Sequence, residues 1–246
     1  GILKFNLKPK LGLQSLHNKG QLDQTDPKAV AQFLLQNSDR LDKTIVGDYL
    51  GKEETYQDGF CVKVLHSYGE QMDFSGAFAA SVTVASMASG AARWHARRRR
   101  RDAVTATRRS PESSYRRDAR QNNENAGLEF DVAIRHFLSG FRLPGEAQKI
   151  DRIMETFAAR YCALNAEVFP SADVAFVLAF SVIMLQTDLH NPAIKEEKKM
   201  TKDGFRRNNR GICNGSDLDA QFLDEIFDRI KAAPITLAED DKLREK

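Results

Sequence analysis

Phe141-Arg-Leu-Pro-Gly-Glu-Ala-Gln-Lys-Ile-Asp151 is a Pro-Gly turn that feeds the chain into a helix and leaves one carboxylate, Glu146, at the helix start. Pro144 fixes its own φ and pushes Leu143 toward extended geometry, while Gly145 permits a sharp reversal, so the preceding helix must stop here. From Ala147 the apolar residues recur at Ala147, Ile150, Met154, Phe157, Ala158 and Tyr161, the spacing of one helix face. Glu146 therefore stands on a rigid corner, with its charge favoured by the positive end of the following helix. The plain reading is a first-turn acid worth about 0.3–1 kcal/mol. The sharper one is a carboxylate held out for a partner.

The next informative stretch is Ala172–Leu189, followed by His190-Asn191-Pro192. Ser171 is the N-cap candidate and Asn191-Pro192 the stop signal. The run from Val174 to Leu185 is apolar on nearly every face, which predicts a largely buried helix. The run is too short, and Asp173 and Asp188 too close, for a membrane span of about 20 apolar residues. Hydrophobicity alone assigns Val182, Ile183 and Leu185 to core packing.

Helical spacing recurs along the chain. Asp26-Pro27 reads as an N-cap followed by an N1 proline, opening a helix with Val30, Phe33 and Leu34 on one face. Ile45, Val46, Tyr49 and Leu50 follow, with Gly51 as the C-terminal stop. Cys61, Val64, Leu65 and Tyr68 repeat the pattern. So do Ile134, Phe137, Leu138 and Phe141, in a helix expected from about Glu129 to Phe141. The last helix places Phe222, Leu223, Ile226, Phe227 and Ile230 inward, after the cap candidates Ser216 and Asp217. Alternating strand patterns are scarce, and periodicity by itself supports the all-α class.

Two strings, Phe141-Arg-Leu-Pro-Gly-Glu146 with its Ala-Gln-Lys-Ile-Asp-Arg continuation and Ile183-Met-Leu-Gln-Thr-Asp-Leu-His-Asn191, resemble the two signatures of the Sec-seven domain. That domain is the exchange module of guanine-nucleotide exchange factors for Arf-type small GTPases. The resemblance runs from about Phe5 to Leu237 and takes in Phe5-Asn-Leu-Lys-Pro-Lys, Val46-Gly-Asp-Tyr-Leu-Gly51 and Asn209-Arg-Gly-Ile. It looks closest to the large brefeldin-inhibited Golgi type, and bacterial effector copies read similarly.

The resemblance implies an all-α, right-handed array of about ten helices with a hydrophobic docking groove. It implies that Glu146 enters the nucleotide site of an Arf-family GTPase, repels the β-phosphate, competes for its bound lysine and helps expel Mg²⁺. Partner contacts fall on Phe141, Leu143, Pro144 and Gly145 at the turn, and on Met184, Leu185, Gln186, Thr187, Asp188, His190 and Asn191 in the groove. Gln186 departs from the family's usual asparagine, which puts partner preference in question. Brefeldin A sensitivity is associated with a tyrosine, a serine, an aspartate and a methionine. This chain has Phe180 in place of the tyrosine, then Ser181, Asp188 and Met200, so partial sensitivity is expected. The GTPase would be met in its GDP-bound and nucleotide-free forms. The site would be cytoplasmic, peripheral to Golgi or endosomal membranes, with the membrane reached through the partner or a longer parent protein.

Composition sets further bounds. A chain of 246 residues, 41% of them hydrophobic, can bury one substantial core or two closely packed helical halves, as in a soluble cytosolic protein. Cys61, Cys162 and Cys213 are scattered without metal spacing and read as reduced thiols. The opening inside a motif and the charged tail from Glu239 to Lys246 read as a piece of something longer. Residues 77–127 stand apart: eleven Arg, no Lys and four acids give a local +7 against +3 for the whole chain, so the remainder carries −4. The domain division that follows is 1–76, an Arg-rich insert 77–127, 128–237 and a charged tail 238–246.

The insert reads as a disordered, solvated segment. Contact with anionic membrane, and nucleic-acid binding or nuclear import through Arg97–Arg101, are its alternatives. Only Trp94 and Tyr115 offer stacking, which weighs against a nucleic-acid platform. Asp188 and His190 lie two apart, off a common helix face, and make a poor metal pair. His17, His66, His95 and His136 form no ligand spacing. No phosphate-cradling loop, dinucleotide turn or nucleophile with a base is present, so neither cofactor nor metal is expected. The chain should bind a GTPase without itself binding or hydrolysing nucleotide. A non-catalytic helical GTPase-binding scaffold is the competing class, and a nucleic-acid module a distant third.

Overall fold

The computed structural model describes residues 1–75 and 127–235. They hold ten α-helices: α1 Ile2–Leu7, α2 Pro9–His17, α3 Pro27–Gln36, α4 Lys43–Leu50, α5 Phe60–Glu70, α6 Phe130–Phe137, α7 Ala147–Leu164, α8 Ala172–His190, α9 Lys202–Asn208 and α10 Ala220–Ala232. The one β feature among the described residues is an isolated bridge between Cys213 and Ser216. The chain divides into a unit of residues 1–72 and 129–246 and a smaller one of 73–128. All ten helices belong to the first. In the second, Leu128 N–H donates to the Phe74 carbonyl at 3.0 Å. The insert assigned above to 77–127 lies, apart from Gly127, outside the described residues.

Short polar side chains set most helix starts by taking the amide donors that a first turn leaves free. Asp26 accepts from the amides of Lys28 and Ala29, with Pro27 at N1 as the sequence indicates. Asp42 does the same for Thr44 and Ile45. Ser171 accepts from Val174, and Thr201 from Gly204. At α10 the cap is Asp219, which accepts from Phe222 at 2.9 Å, and not the expected Ser216 or Asp217. Asp217 is committed to the Gly211 amide at 2.8 Å. Leu218 and Leu223 then occupy the positions of a hydrophobic staple, both buried.

A chain of aromatic rings runs through the core. Tyr68 and Phe137 each meet Phe141 edge-on at 5.6 Å between ring centres. Phe137 and Phe130 each lie 5.6 Å from Phe157. Phe130 continues to Tyr161 and Phe169 at 5.1 and 5.0 Å. Such pairs add about 0.5–1.5 kcal/mol each beyond area burial. Charge joins two helices as well: Arg229 of α10 grips the buried Asp131 of α6 at 2.6 and 2.7 Å. Arg135 donates to the carbonyls of Arg229, Ala233 and Pro234 at the end of α10.

The helix before the turn is shorter than expected. α6 ends at Phe137, a 3-10 turn covers Leu138–Gly140, and Phe141 is already extended at φ −152°. The apolar period continues because an extended strand also alternates inward positions, which keeps Phe141 buried.

Contrary to the expectation that its apolar run is too short, α8 is long and apolar enough to cross a membrane by length and composition, because the helix continues to His190; half of that stretch is buried. It packs along α7 and against α10. The expectation of burial on nearly every face fails at Val177 and Met184, which are 43% and 53% exposed.

Candidate functional site

The Pro-Gly turn is anchored on one side and open on the other. Phe141, Leu143 and Pro144 are buried, whereas Gly145 and Glu146 are exposed. α4 is the buttress. Arg142 N–H donates to the Lys43 carbonyl at 2.9 Å, and Lys43 Nζ reaches the Ser139 carbonyl at 2.7 Å. A Cβ on Gly47 would stand 1.9 Å from the Arg142 carbonyl oxygen, so the backbones can meet only because position 47 has no side chain. α4 and the extended segment that follows the 3-10 turn thus hold the corner that presents Glu146.

Glu146 sits at the N-cap of α7 with extended backbone, yet its side chain caps no amide. The carboxylate points instead to Lys149, Oε1 to Nζ 2.8 Å. Lys149 also donates to Asp48 Oδ1 of α4 at 2.9 Å. The Lys149 side chain is only 11% exposed, against 70% for Glu146 and 51% for Asp48. Burial works against the ammonium charge, but the two carboxylates outweigh it and raise Lys149 above its ordinary range. Gly51 makes room for this lysine: its φ is −79°, and an added Cβ would fall within 3.0 Å of the Lys149 stem. Gly51 ends α4 as the sequence indicates, without left-handed backbone, and adds this close approach to its role.

The second signature separates into outward and inward residues. The α7–α8 pair turns through the short connection at 165–171 and packs along its length. On the outward strip stand Val177, Met184 and Thr187, exposed, with Ser181, Asp188 and Asn191 half-buried. Phe180 is half-buried beside them. Asp188 accepts from the Met200 amide, whose sulfur receives Asn208 at 3.8 Å, so Asp188 and Met200 form one corner. Asn191 closes a local turn by accepting from the Ala193 amide at 2.9 Å.

Several residues assigned to partner contact face inward. Leu185 is fully buried, and Gln186 is 2% exposed. Gln186 Oε1 accepts from the Ile235 amide at 2.8 Å, so it fastens the segment after α10. His190 Nε2 donates to the Ile230 carbonyl at 2.8 Å and ties α8 to α10. Phe141, Leu143 and Pro144 of the turn are likewise buried.

Sequence reasoning missed Lys149, Asp48 and Gly47 as members of the site. A Glu-x-x-Lys spacing was visible, as was the Val46–Gly51 string, but Asp48 lies 101 residues from Lys149. Nothing in the spacing alone joins them.

These features define an all-helical domain whose distinctive chemistry lies on its surface: one carboxylate on a core-anchored turn, and the outward strip of a second helix. The chain belongs to the Sec7 domain family, which matches residues 1–85 and 120–235. It is similar to brefeldin A-inhibited guanine nucleotide-exchange protein 2 of Arabidopsis thaliana, 41% identical over 247 residues and all of this chain. The human exchange protein 1 of the same name is 39% identical over 245 residues, 99% of this chain. The chain spans about a tenth of the length of these curated relatives. Among solved structures, the Sec7p catalytic domain superposes with a TM-score of 0.68 at 34% identity, covering 95% of this chain and 93% of that one. A Sec7 domain solved with ARF1-GDP and brefeldin A gives 0.69 at 31% identity, covering 97% and 92%.

Proposed function

We propose that this chain is a guanine-nucleotide exchange factor for Arf-family small GTPases, acting through Glu146. The observation that carries the reading is the turn itself. Its apolar residues are locked into the core while its carboxylate stands mostly exposed at the tip. Membership of the Sec7 family, the relatives' names and the solved ARF1-GDP complex support the class of partner.

Glu146 enters the nucleotide site of the GTPase and faces the β-phosphate, competing for its lysine and helping to expel Mg²⁺. Like charges about 4 Å apart at an effective dielectric of 20 repel by on the order of 4 kcal/mol. A destabilisation of that size speeds release roughly a thousandfold. No covalent bond of the substrate changes, so the stiffness of the corner matters more than a tuned acid. Met184 supplies apolar contact to the switch regions and Asn191 polar contact, with Thr187 and Asp188 beside them. Brefeldin A would lodge by Phe180, Ser181, Asp188 and Met200. The work would take place in the cytoplasm at Golgi or endosomal membranes, reached through the GTPase or a longer parent protein.

Release of fluorescent GDP from a panel of Arf-family GTPases tests the reading. Acceleration supports it. A non-catalytic GTPase-binding scaffold is the second reading, favoured by the pairing of Glu146 with Lys149. Binding without acceleration would select the scaffold, and the absence of both would defeat the two together.

A further inference from the structure

Glu146 is not idle in this state, because its carboxylate is already bound to Lys149 at 2.8 Å. To enter a partner's nucleotide site it must leave that bond. Leaving would strand an ammonium whose side chain is 11% exposed, and removing one partner of a buried pair is ordinarily costly. Asp48 is placed to prevent this, since its Oδ1 lies 2.9 Å from the same Nζ and belongs to a different element. Its element is fixed to the turn by the Arg142–Lys43 bond and by the backbone approach at Gly47. Gly51 and Arg152 complete the housing: Arg152 Nη2 donates to the Gly51 carbonyl at 2.7 Å, and the bare Gly51 leaves space for the Lys149 stem.

We infer that Lys149 is a holder with two partners, parking Glu146 at rest and passing wholly to Asp48 when Glu146 departs, which makes Asp48 a positioning residue that sets how easily the carboxylate is released. The three groups sum to one negative charge, so the site can give up a carboxylate and remain neutral. With Asp48 gone, Lys149 has Glu146 alone and holds it more firmly. The inference rests on the exchange reading above and assigns that site a release step.

The test uses the full chain with ARF1 loaded with fluorescent GDP, and follows kcat and KM in parent, Asp48→Asn, Asp48→Glu, Lys149→Met and the Asp48→Asn/Lys149→Met double variant. Asp48→Asn should lower kcat about fivefold with KM moved less than twofold, the scale of one partly exposed ion pair. Asp48→Glu should restore kcat to within twofold of the parent. In the Lys149→Met background the Asp48→Asn change should have no effect on kcat, because the group it acts through is missing. A merely structural Asp48 would lower kcat equally in both backgrounds, and that result would overturn the inference. An unchanged kcat in Asp48→Asn would overturn it as well. Glu146→Gln separates the two levels: if it leaves release unaltered, the exchange reading itself fails. If it abolishes release while Asp48→Asn stays silent, only the holder fails.

Discussion

Gln186 carries one methylene more than the asparagine of the family signature, and that methylene brings its amide oxygen to the Ile235 N–H. The substitution therefore bears on the segment after α10, a structural role that the sequence alone did not indicate. Gln186→Asn shortens the reach and leaves a buried N–H without an acceptor. It should cost about 1–3 kcal/mol in chemical denaturation while exchange stays within twofold of the parent. Loss of exchange at unchanged stability would return Gln186 to the docking surface. Phe180 is the other departure. It is half-buried on α8, close in sequence to Ser181 and one helical face from Met184. Phe180→Tyr adds a hydroxyl worth about 0.5–1.5 kcal/mol, so half-inhibition by brefeldin A should shift up to roughly tenfold lower. Exchange rates across a drug titration would show it, and equal resistance of parent and variant would count against the assigned drug contacts.

Among the elements, α4 has the largest influence on the site despite its eight residues. It brings Lys43 and Gly47 to the back of the turn, Asp48 to Lys149, and Gly51 to the stem of that lysine. Gly47→Ala would set a methyl group against the Arg142 carbonyl, where backbone and not a flexible side chain must yield. It should destabilise by about 1–3 kcal/mol and slow exchange further at temperatures where the variant stays folded. A thermal melt and a release assay on one sample would check both, and a variant equal to the parent in each would show that α4 does not buttress the turn. Much of this scale was legible beforehand. Asp26 and Ser171 were readable as caps, and the apolar faces around Cys61, Phe137 and Phe222 were readable from their period, since capping and burial follow local spacing. The contact between Asp48 and Lys149 was not, because two helices far apart in sequence meet only after packing. Gly51 was legible as the stop of α4, but its second role, clearance for a side chain from α7, was hidden for the same reason. Asp217 misled because a competing turn at Gly211 takes its carboxylate before α10 begins.

For the molecule as a whole, the family match falls on either side of residues 86–119, and the Leu128–Phe74 bond closes the chain where the Arg-rich segment starts and ends. We therefore propose that the segment is separable from the exchange module. Joining Gly76 to Leu128 should preserve folding, seen as an unchanged melting temperature, and exchange in solution within about twofold, as for surface changes remote from a core. Loss of the folded state on deletion would show that residues 77–127 belong to the structure. The central claim is that charge at position 146 drives nucleotide release from a turn that the rest of the domain merely holds. Its most direct measurement is fluorescent-GDP release from ARF1 by the Glu146→Lys variant, alongside binding of the same GTPase. The account predicts abolished release, a melting temperature within a few degrees of the parent as for an exposed turn, and retained binding to the GTPase. Release by the variant at the parent rate would contradict it.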